Sequence, residues 1–462
     1  MYKIDFKKPI HIHFIGIGGI SMSGLAEILL KEHFQISGSD SKESELTDKL
    51  TKLGASIHYG QRAANITNDL DLVVYTAAIH PDNPELKAAV DMGIPTLTRA
   101  ELLGQIMDNY KDSIAVAGTH GKTTTTSMIT HILLHACADP TVSVGGILKS
   151  IDGNIRVGNS DVFLTEACEY TNSFLNFYPK YAVILNIEED HLDFFKDLAD
   201  IRSSFHKFAQ NVPADGAVII NGQISNYQEI TQGLPCQIIT YGLDASDSYY
   251  ADYADNITFN TQGCGEFTLM HDKKPLGTIT LSVPGIHNVS NAVAACAVAL
   301  EMNISFEHIQ GALLGFGGTA RRFELKGNLG GITIVDDYAH HPTEIAATLK
   351  AAQNYPHERV VCVFQPHTYT RTKAFLKDFA ASLSHADIVV LADIYAARET
   401  DTLGISSKDL LNELKNLGCE CYYFPSFDEI ENFLLKKCIN GDLLITMGAG
   451  DIVQVGEHLL GR

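Results

Sequence analysis

Apolar residues recur along the first hundred positions in two patterns, short unbroken runs and longer stretches with a helical period. Met22, Leu25 and Leu29 are in phase on one helical face. Strands bounded by turn residues and separated by such helices are typical of a parallel sheet. We therefore predict a Rossmann-like βαβ array, with helices at 21–31 and 99–107 and strands at 10–15, 35–38, 56–59, 72–76 and 96–97.

The same alternation resumes after the polar link 108–112 and again after the glycine-rich segment 315–320. The second segment ends in a predicted β-meander over 233–281 and a helix of small residues over 292–301. Further strands are predicted in the second segment at 114–117, 162–165 and 181–187, and in the third at 332–335, 360–364, 388–391, 421–424 and 443–446.

A glycine-containing loop separates a predicted strand from a predicted helix at the start of the second segment. The loop consists of Gly118, Thr119, His120, Gly121, Lys122, Thr123 and Thr124. Such glycines let backbone N–H groups approach an anion, the helix N-terminus adds a positive dipole end, Lys122 adds a cation and the Thr123 hydroxyl can bind Mg²⁺. Although Val116 stands where the usual phosphate loop has glycine, the context predicts a nucleoside triphosphate site.

Acidic residues follow the two strands that come after this loop. Glu166 ends one strand, and His191 follows the next within the segment NIEEDHLD. The carboxyl ends of parallel strands meet at one edge of a sheet, where the phosphate loop also lies. We therefore expect Glu166 and His191 to reach the same Mg²⁺-nucleotide, and we interpret Glu188 and Glu189 as a solvated acidic loop.

A second glycine-rich turn, with Gly16, Gly18 and Gly19, follows the first strand of the chain, and Asp40 ends the second strand beside Ser39. This arrangement is typical of a dinucleotide site. Ser21 stands where the third glycine of that pattern belongs, so NAD and another nucleotide diphosphate remain equally compatible.

Two loops at predicted strand ends in the third segment, at 336–344 and 365–372, are rich in polar and charged residues. His340 and His341 are adjacent, and adjacent loop histidines rarely bind one ion together, so we interpret a metal site there as the weaker option. Asn288 and Asn291 precede the predicted helix 292–301 and could either cap it or bind an adenine edge.

Composition narrows the class of protein. A chain of 462 residues is too long for one core, and a prior of roughly 150 residues per domain suggests about three domains. The formal charge of −21 disfavours nucleic acid and anionic membranes as partners. Neither an apolar leader nor a spanning apolar segment is present, and the nine cysteines are scattered, so we expect a soluble, reduced, cytoplasmic protein.

Several segments in this order resemble the Mur ligase family: GTHGKTTT, EACEYTNSFL, NIEEDHLD, PGIHNVSNA, RRFE, DDYAHHPTE and FQPHTYTRT. The opening GIGGISMSGLAEIL is similar to the branch that joins L-alanine to UDP-N-acetylmuramate. The resemblance implies an ATP- and Mg²⁺-dependent ligase of peptidoglycan synthesis that works through an acyl phosphate, as a monomer or homodimer. It implies an α/β fold with a Rossmann-like UDP-binding domain at 1–108, a central P-loop ATPase domain at 109–318 and a Rossmann-like C-terminal domain at 319–462.

The resemblance also implies roles for single residues. Gly16, Gly18 and Gly19, with Ser39 and Asp40, would bind the UDP part of the substrate, and Tyr338 would lie beside its sugar. Thr123 and Glu166 would bind one Mg²⁺ and His191 a second. Lys122, His340, His367 and Arg371 would be catalytic. The ATP site would comprise Gly118, Thr119, His120, Gly121, Lys122, Thr123, Thr124, His287, Asn288, Asn291, Arg322 and Asp337, although either Arg321 or Arg322 could be the arginine that reaches the phosphates.

Two departures from the family pattern matter. Thr368 stands where many relatives have a second arginine, and Phe205 and His206 occupy the region where sister ligases carry a carbamylated lysine, so we predict no carbamate. Alternative functions are a ligase that attaches a tripeptide to the same sugar nucleotide, a folylpolyglutamate synthetase, an NAD-dependent oxidoreductase and a non-catalytic nucleotide-binding regulator.

Overall fold

A computed structural model describes residues 3–76, 78–243, 251–397 and 399–462. The first of its three sheets is parallel, in the order β3-β2-β1-β4-β5. The central strand β1 is lined by the buried side chains of Ile12 and Phe14. Its elements are β1 His11–Ile15, α1 Ile20–Lys31, β2 Gln35–Asp40, α2 Glu45–Lys52, β3 Ser56–Tyr59, β4 Leu72–Tyr75, α3 Pro84–Asp91, β5 Thr96–Thr98 and α4 Arg99–Met107.

The second sheet has ten strands, in the order β15-β14-β13-β12-β11-β10-β6-β9-β7-β8. Strand β6 lies between two parallel neighbours, β10 and β9, so its carboxyl end is in the middle of the sheet. Its strands are β6 Asp112–Ala117, β7 Thr141–Leu148, β8 Gly153–Arg156, β9 Val162–Ala167, β10 Tyr181–Ile184, β11 Ala217–Asn221, β12 Gln237–Gly242, β13 Asp252–Phe259, β14 Cys264–His271 and β15 Lys274–Pro284. Its helices are α5 Lys122–His135, α6 Leu198–Gln210, α7 Gln228–Thr231, α8 Ile286–Glu301 and α9 Phe306–Gly315.

The third sheet has six strands, in the order β16-β17-β21-β18-β19-β20, and only β16 is antiparallel to its neighbour. Its strands are β16 Glu324–Leu329, β17 Ile332–Asp337, β18 Arg359–Phe364, β19 Ile388–Leu391, β20 Glu420–Tyr423 and β21 Asp442–Met447. Its helices are α10 Pro342–Ala352, α11 Tyr369–Ala374, α12 Leu376–Leu383, α13 Ser407–Asn416, α14 Phe427–Lys437 and α15 Val453–Leu459. The predicted α/β fold with three sheet-containing domains is confirmed, and we call these the N-terminal, central and C-terminal domains.

The predicted meander corresponds to the antiparallel strands β13, β14 and β15, while β12 joins β11 in parallel. Residues 244–250 of the predicted segment lie outside the described residues. The antiparallel β16 was not predicted, because its sequence ELKGNL shows little apolar alternation and is partly exposed.

Helix α8 begins at Ile286, six residues before the predicted start. Its first two turns carry polar residues that break the apolar period, and Gly285, with φ of 99°, provides the N-cap. The cap interpretation of Asn288 and Asn291 is therefore wrong. Asn288 instead donates a hydrogen bond to Pro284 O at 2.7 Å, and Asn291 donates one to Asn288 Oδ1 at 3.2 Å.

The core of the central domain fixes the position of the phosphate loop. The side chains of Ile114 and Val116 on β6 pack in the same cluster as Met128 and Ile132 on α5, and all four are fully buried. Burial of each such side chain contributes about 1.5–3 kcal/mol. The loop between β6 and α5 is thus held at both ends.

In the described part of the chain, no helix combines the length and apolar character needed to cross a bilayer.

Candidate active site

Two glycines give the loop between β6 and α5 its shape. Gly118 and Gly121 have φ of 148° and 83°, a region that other residues rarely adopt. A Cβ atom on Gly121 would lie 2.7 Å from Asn291 Oδ1, and one on Gly118 would lie 3.0 Å from Leu185 Cβ. The loop therefore needs glycine at both positions, for backbone conformation and for space.

Lys122, at the first position of α5, points back over this loop. Its ammonium donates hydrogen bonds to Gly118 O and, at 3.1 Å each, to Thr119 O and to the buried Glu169 Oε2. Burial alone would lower the pKa of Lys122, but the Glu169 carboxylate outweighs this effect and the pKa is raised. Lys122 is therefore a fixed cation beside the loop at neutral pH.

Thr123, in the first turn of α5, and Glu166, near the carboxyl end of β9, lie together. The Thr123 hydroxyl donates to Glu166 Oε2 at 3.0 Å, and Gly145 N donates to Glu166 Oε1 at 2.5 Å. Burial raises the pKa of the Glu166 carboxyl. A partly buried carboxylate beside a hydroxyl is a donor pair of the hard oxygen type that Mg²⁺ prefers, so these residues fit the predicted ion.

A cavity of about 180 Å³ opens beside the loop and brings together many of the residues predicted to bind ATP. Burial lowers the pKa of His287 to about 4, so its imidazole is neutral. The predicted residues that line the cavity are His120, Gly121, Thr124, His287, Asn288, Asn291, Arg322 and Asp337.

The two adjacent arginines at the start of the C-terminal domain have different surroundings. Arg321 donates to Asp336 Oδ2 at 2.9 Å and to the carbonyls of Gly448 and Gly450, so its guanidinium is used inside the domain. Arg322 lines the cavity, with Nη1 at 3.9 Å from Glu344 Oε1. Of the two, Arg322 is the one placed to meet a ligand there.

Asp337 is held by its own backbone surroundings. Its carboxylate accepts hydrogen bonds from Phe323 N and Ala339 N, both at 2.8 Å. Burial raises the pKa of Asp337 to about 6. Each carboxylate oxygen has a second lone pair, and Asp337 lines the cavity, which is compatible with the predicted ribose contact.

A second cavity has a volume of about 650 Å³. It is lined by three C-terminal residues that were predicted to be catalytic or to bind substrate, Tyr338, His367 and Arg371. The His340 ring lies next to this group, 5.4 Å from the Tyr338 ring and 5.7 Å from the His367 ring. Burial lowers the pKa of His340 to about 3, and burial together with the Arg371 charge lowers that of His367 to about 4. Both histidines are therefore neutral at pH 7.

The phosphate loop and this second cavity are joined by consecutive contacts between side chains. Glu169, the partner of Lys122, lies 4.0 Å from His191 Nε2. Next to His191, the Asp190 carboxylate accepts a hydrogen bond from Arg371 Nη2 at 2.9 Å. The predicted metal ligand His191 thus lies between the cation at the loop and the cation of the C-terminal domain.

In the N-terminal domain, the glycine-rich turn is tied to the end of β2. Gly16 N and Ile17 N donate to Ser39 O at 2.8 and 3.0 Å, and Gly18 N donates to Asp40 Oδ2 at 2.8 Å. The Ser39 hydroxyl is fully buried and donates to Glu85 at 2.6 Å. The backbone carbonyl of Ser39 thus supports the turn, while its side chain contacts Glu85, and substrate binding by Ser39 stays a prediction.

Several charged residues at the site carry contacts that the sequence did not predict: Glu169, Glu188, Asp190 and Glu344. The interpretation of Glu188 as solvated was wrong, because it accepts a hydrogen bond from Thr343 Oγ1 at 2.7 Å across the domain boundary. Glu344 lies 3.2 Å from His120 Nδ1. All four lie inside the resembling segments, but nothing in their spacing shows their partners.

At position 205, the Phe205 side chain is fully buried and packs against Phe174, and His206 contacts Ile230 O at 2.9 Å. Neither residue contacts the phosphate loop in the described structure.

Comparison with known proteins gives full-length relatives. The chain is 66% identical over 460 residues to the UDP-N-acetylmuramate–L-alanine ligase of Agathobacter rectalis, with 100% of both chains covered. It is 61% identical over 460 residues to the ligase of the same name from Lachnospira eligens, again with 100% of both covered.

Solved structures agree with this result. The UDP-N-acetylmuramate-alanine ligase of Thermotoga maritima matches with a TM-score of 0.79 and 32% identity over 98% of this chain and 99% of that one. A murein peptide ligase of Psychrobacter arcticus matches with a TM-score of 0.69 and 25% identity over 98% of each chain.

Three family models match in chain order. Residues 11–111 match the Mur ligase family, catalytic domain; residues 116–299 match the Mur ligase middle domain; and residues 321–450 match the Mur ligase, glutamate ligase domain. Together these matches and the full-length relatives show that the chain belongs to the Mur ligase family.

Proposed function

We propose that this protein is an ATP-dependent ligase that joins L-alanine to the lactyl carboxylate of UDP-N-acetylmuramate, a cytoplasmic step of peptidoglycan synthesis. The names of its full-length relatives support this activity. The proposal includes the domain limits 1–108 for UDP binding, 109–318 for ATP binding and 319–462 for the amino acid.

The structural observation that carries the proposal is the continuous line of contacts from Lys122 through Glu169, His191 and Asp190 to Arg371. A ligase must bring a phosphoryl donor, a carboxylate and an amine to one point. Cations at both ends of this line suit the γ-phosphate at one end and the carboxylate of an amino acid at the other.

ATP would bind in the cavity beside the phosphate loop. Lys122 would hold its β- and γ-phosphates, Asn288 and Asn291 its adenine, and Asp337 its ribose. Thr123 and Glu166 would hold one Mg²⁺ and His191 a second. When bound, these ions supply positive charge that offsets the negative charge of the transferring phosphoryl group.

The reaction would take place in two steps. A carboxylate is a poor electrophile, so the lactyl carboxylate first takes the γ-phosphoryl group of ATP to form an acyl phosphate and ADP. The amine of alanine then attacks the acyl carbon and expels phosphate. Lys122 and Arg322 are placed to stabilise the charge in both steps, and contact between the central and C-terminal domains excludes water that would hydrolyse the acyl phosphate.

His340 and His367, both predicted to be catalytic, are the side chains beside the second cavity that could act as a general base for the amine. Both are neutral at pH 7 and can accept a proton, but their lowered pKa values of about 3 and about 4 make them weak bases. We therefore propose that alanine arrives with its amine already deprotonated, and that these histidines orient it together with Arg371.

An assay of ADP release tests the function. The purified protein is given ATP, Mg²⁺ and UDP-N-acetylmuramate, with each amino acid in turn and with the tripeptide used by murein peptide ligases. We expect turnover with L-alanine. Turnover with the tripeptide alone would contradict the proposal and would favour the recycling ligase.

Lys122→Met provides the matched loss-of-function control. Loss of the ammonium leaves the developing phosphoryl charge uncompensated, so we expect turnover to fall by about 100- to 1,000-fold, the range for loss of a single charge-stabilising donor. Unchanged turnover in Lys122→Met would exclude the assigned role of this lysine.

A further inference from the structure

Two histidines and a glutamate meet at the boundary between the central and C-terminal domains. His120 and Glu188 belong to the central domain, and His341 belongs to the C-terminal domain, at the N-cap of α10. One ligating atom from each of the three side chains lies within 4.8 Å of the other two. We call this group the boundary cluster; it shares no residue with the predicted Mg²⁺ ligands Thr123, Glu166 and His191.

The distance between two of the donors fits a small cation. His120 Nε2 lies 3.4 Å from Glu188 Oε2. Ligands bound about 2.0–2.1 Å from a tetrahedral Zn²⁺ are separated by roughly 3.4 Å, the edge of that tetrahedron. His120 Nε2 is buried and makes no well-formed hydrogen bond among the described residues, so the Glu188 carboxylate is its only close polar neighbour in the cluster.

The surroundings of His120 hold its ring in the orientation a metal ligand needs. Its other nitrogen, Nδ1, lies 3.2 Å from Glu344 Oε1. A histidine that donates Nδ1–H to a carboxylate can bind a metal through Nε2 once the metal has displaced the Nε2 proton, and this carboxylate–histidine arrangement is typical around bound zinc. On the other side, Thr343 donates to Glu188 Oε2 at 2.7 Å and fixes that carboxylate in turn.

His341 can provide the third ligand at small cost. Its Nε2 lies 3.2 Å from Glu189 O, and its Nδ1 accepts from Thr343 N at 3.4 Å. Both contacts are long, so either can be exchanged for a bond to a metal. The rings of His120 and His341 are already adjacent, with centroids 4.7 Å apart.

The local field also favours a cation. Glu188 and Glu344 face His120 from the two domains. Although burial by itself lowers the pKa of His120, these two carboxylates raise it to about 9. The same carboxylates that retain a proton on this ring would stabilise a divalent ion that replaces the proton.

We propose that the boundary cluster is a binding site for a zinc-type divalent cation, held by His120, Glu188 and His341 with water as the fourth ligand, and that this cation fastens the C-terminal domain to the central domain. The donor set of two imidazoles and one carboxylate suits Zn²⁺ and Co²⁺, whereas Mg²⁺ prefers oxygen ligands. The proposal does not depend on which reaction the protein catalyses, although His120 and Glu188 also line the cavity proposed to bind ATP.

Cobalt spectroscopy tests the site. Co²⁺ is titrated into the full-length protein in the absence of nucleotide and other metals, and visible absorption is recorded. We expect one equivalent of Co²⁺ with the intense visible bands of tetrahedral coordination, without a thiolate charge-transfer band and displaced by Zn²⁺. We also expect that Zn²⁺ raises the thermal unfolding midpoint, because a ligand that binds only the folded state stabilises it.

Three variants make the test specific. Glu188→Gln and His341→Gln remove a ligand from opposite domains, and each should weaken Co²⁺ binding at least tenfold. Glu189→Gln removes the same charge from the next residue, whose side chain is exposed. This variant should bind Co²⁺ as the wild type does. Equal tetrahedral absorption in all four proteins, absence of tetrahedral bands in the wild type, or equal loss in Glu189→Gln would each overturn the proposal.

Discussion

Arg371 Nη2 in the C-terminal domain donates a hydrogen bond of 2.9 Å to Asp190 Oδ1 in the central domain. Both side chains are about nine-tenths buried, with exposed fractions of 10% and 9%. Although burial alone would raise the pKa of Asp190, the Arg371 charge outweighs burial and lowers it. If Asp190 lost its charge, the charge of Arg371 would be left uncompensated in a nearly buried position. The position of the Arg371 guanidinium therefore depends on Asp190.

We predict that Asp190→Asn raises the KM for L-alanine at least tenfold, with little change in the KM for ATP. The asparagine keeps an acceptor but loses the charge that holds Arg371 beside the second cavity. Steady-state kinetics with each substrate varied in turn measure the effect. Asp193→Asn is the control, because that exposed carboxylate accepts from Tyr170 rather than from Arg371. If Asp190→Asn raised the KM for ATP as much as the KM for L-alanine, a role of Asp190 specific to the amino acid would be contradicted.

The sequence predicted those parts of the site whose chemistry is local. The phosphate loop could be recognised because a strand, two glycines, Lys122 and a helix follow one another directly, and the position of Glu166 follows from the rule that parallel strands end at one edge. These features depend on neighbours in the chain, so hydrophobic pattern and residue type are sufficient to predict them.

The contacts between domains could not be predicted in the same way. Asp190 and Arg371 are 181 residues apart, and Glu188 and Thr343 are 155 apart. No periodicity links such positions, since their proximity depends on how two separate cores are placed against each other. The start of α8 was also missed, because polar residues occupy its first turns and face the cavity instead of a core.

Gly121→Ala should impair ATP use far more than it impairs folding. Its φ of 83° costs an alanine roughly 1–2 kcal/mol, and the added Cβ would also lie 2.7 Å from Asn291 Oδ1. We expect the KM for ATP to rise at least tenfold while the thermal unfolding midpoint falls by only a few degrees.

Gly93→Ala is the matched control for this variant. Gly93 has a similar φ of 70°, but a Cβ there would have no atom within 4 Å. This substitution should cause the same small loss of stability and no change in the KM for ATP. If the two variants changed the KM for ATP equally, the close approach at Gly121 would have no part in nucleotide binding.

Glu399 is a predicted positioning residue for Arg371. Its carboxylate accepts hydrogen bonds from Tyr369 N at 2.6 Å, from Thr370 N at 3.0 Å and from the Thr370 hydroxyl, at the start of α11. This helix carries Arg371. Glu399→Ala removes these acceptors, so we expect the KM for L-alanine to rise about tenfold as the first turn of α11 loosens.

Glu399→Gln separates capping from charge. Its amide oxygen can still accept from the first turn of α11, so we expect Glu399→Gln to retain most of the wild-type KM for L-alanine. The same steady-state assay compares both variants. A defect as large in Glu399→Gln as in Glu399→Ala would show that the negative charge acts directly on the amino acid and that positioning is not its role.

The contact between the central and C-terminal domains should weaken as the pH rises from 6.5 to about 9. His120 faces Glu188 in its own domain and Glu344 and His341 in the other. Its pKa is about 9 in the folded protein against 6.5 for a free imidazole, so the stabilisation is fully present below pH 6.5 and is lost as pH rises through 9. A shift of this size corresponds to a stabilisation on the order of 3 kcal/mol, of which only the part due to Glu344 acts between the domains.

Histidine NMR and small-angle X-ray scattering, both in metal-free buffer, measure this effect. We expect a histidine resonance that titrates near pH 9 and a radius of gyration that increases over the same range. In Glu188→Gln that resonance should titrate at lower pH, because one of the two carboxylates facing His120 has lost its charge, whereas Glu189→Gln should titrate as the wild type does. A radius of gyration that is constant from pH 6.5 to 9.5 would show that the charge on His120 does not hold the two domains together.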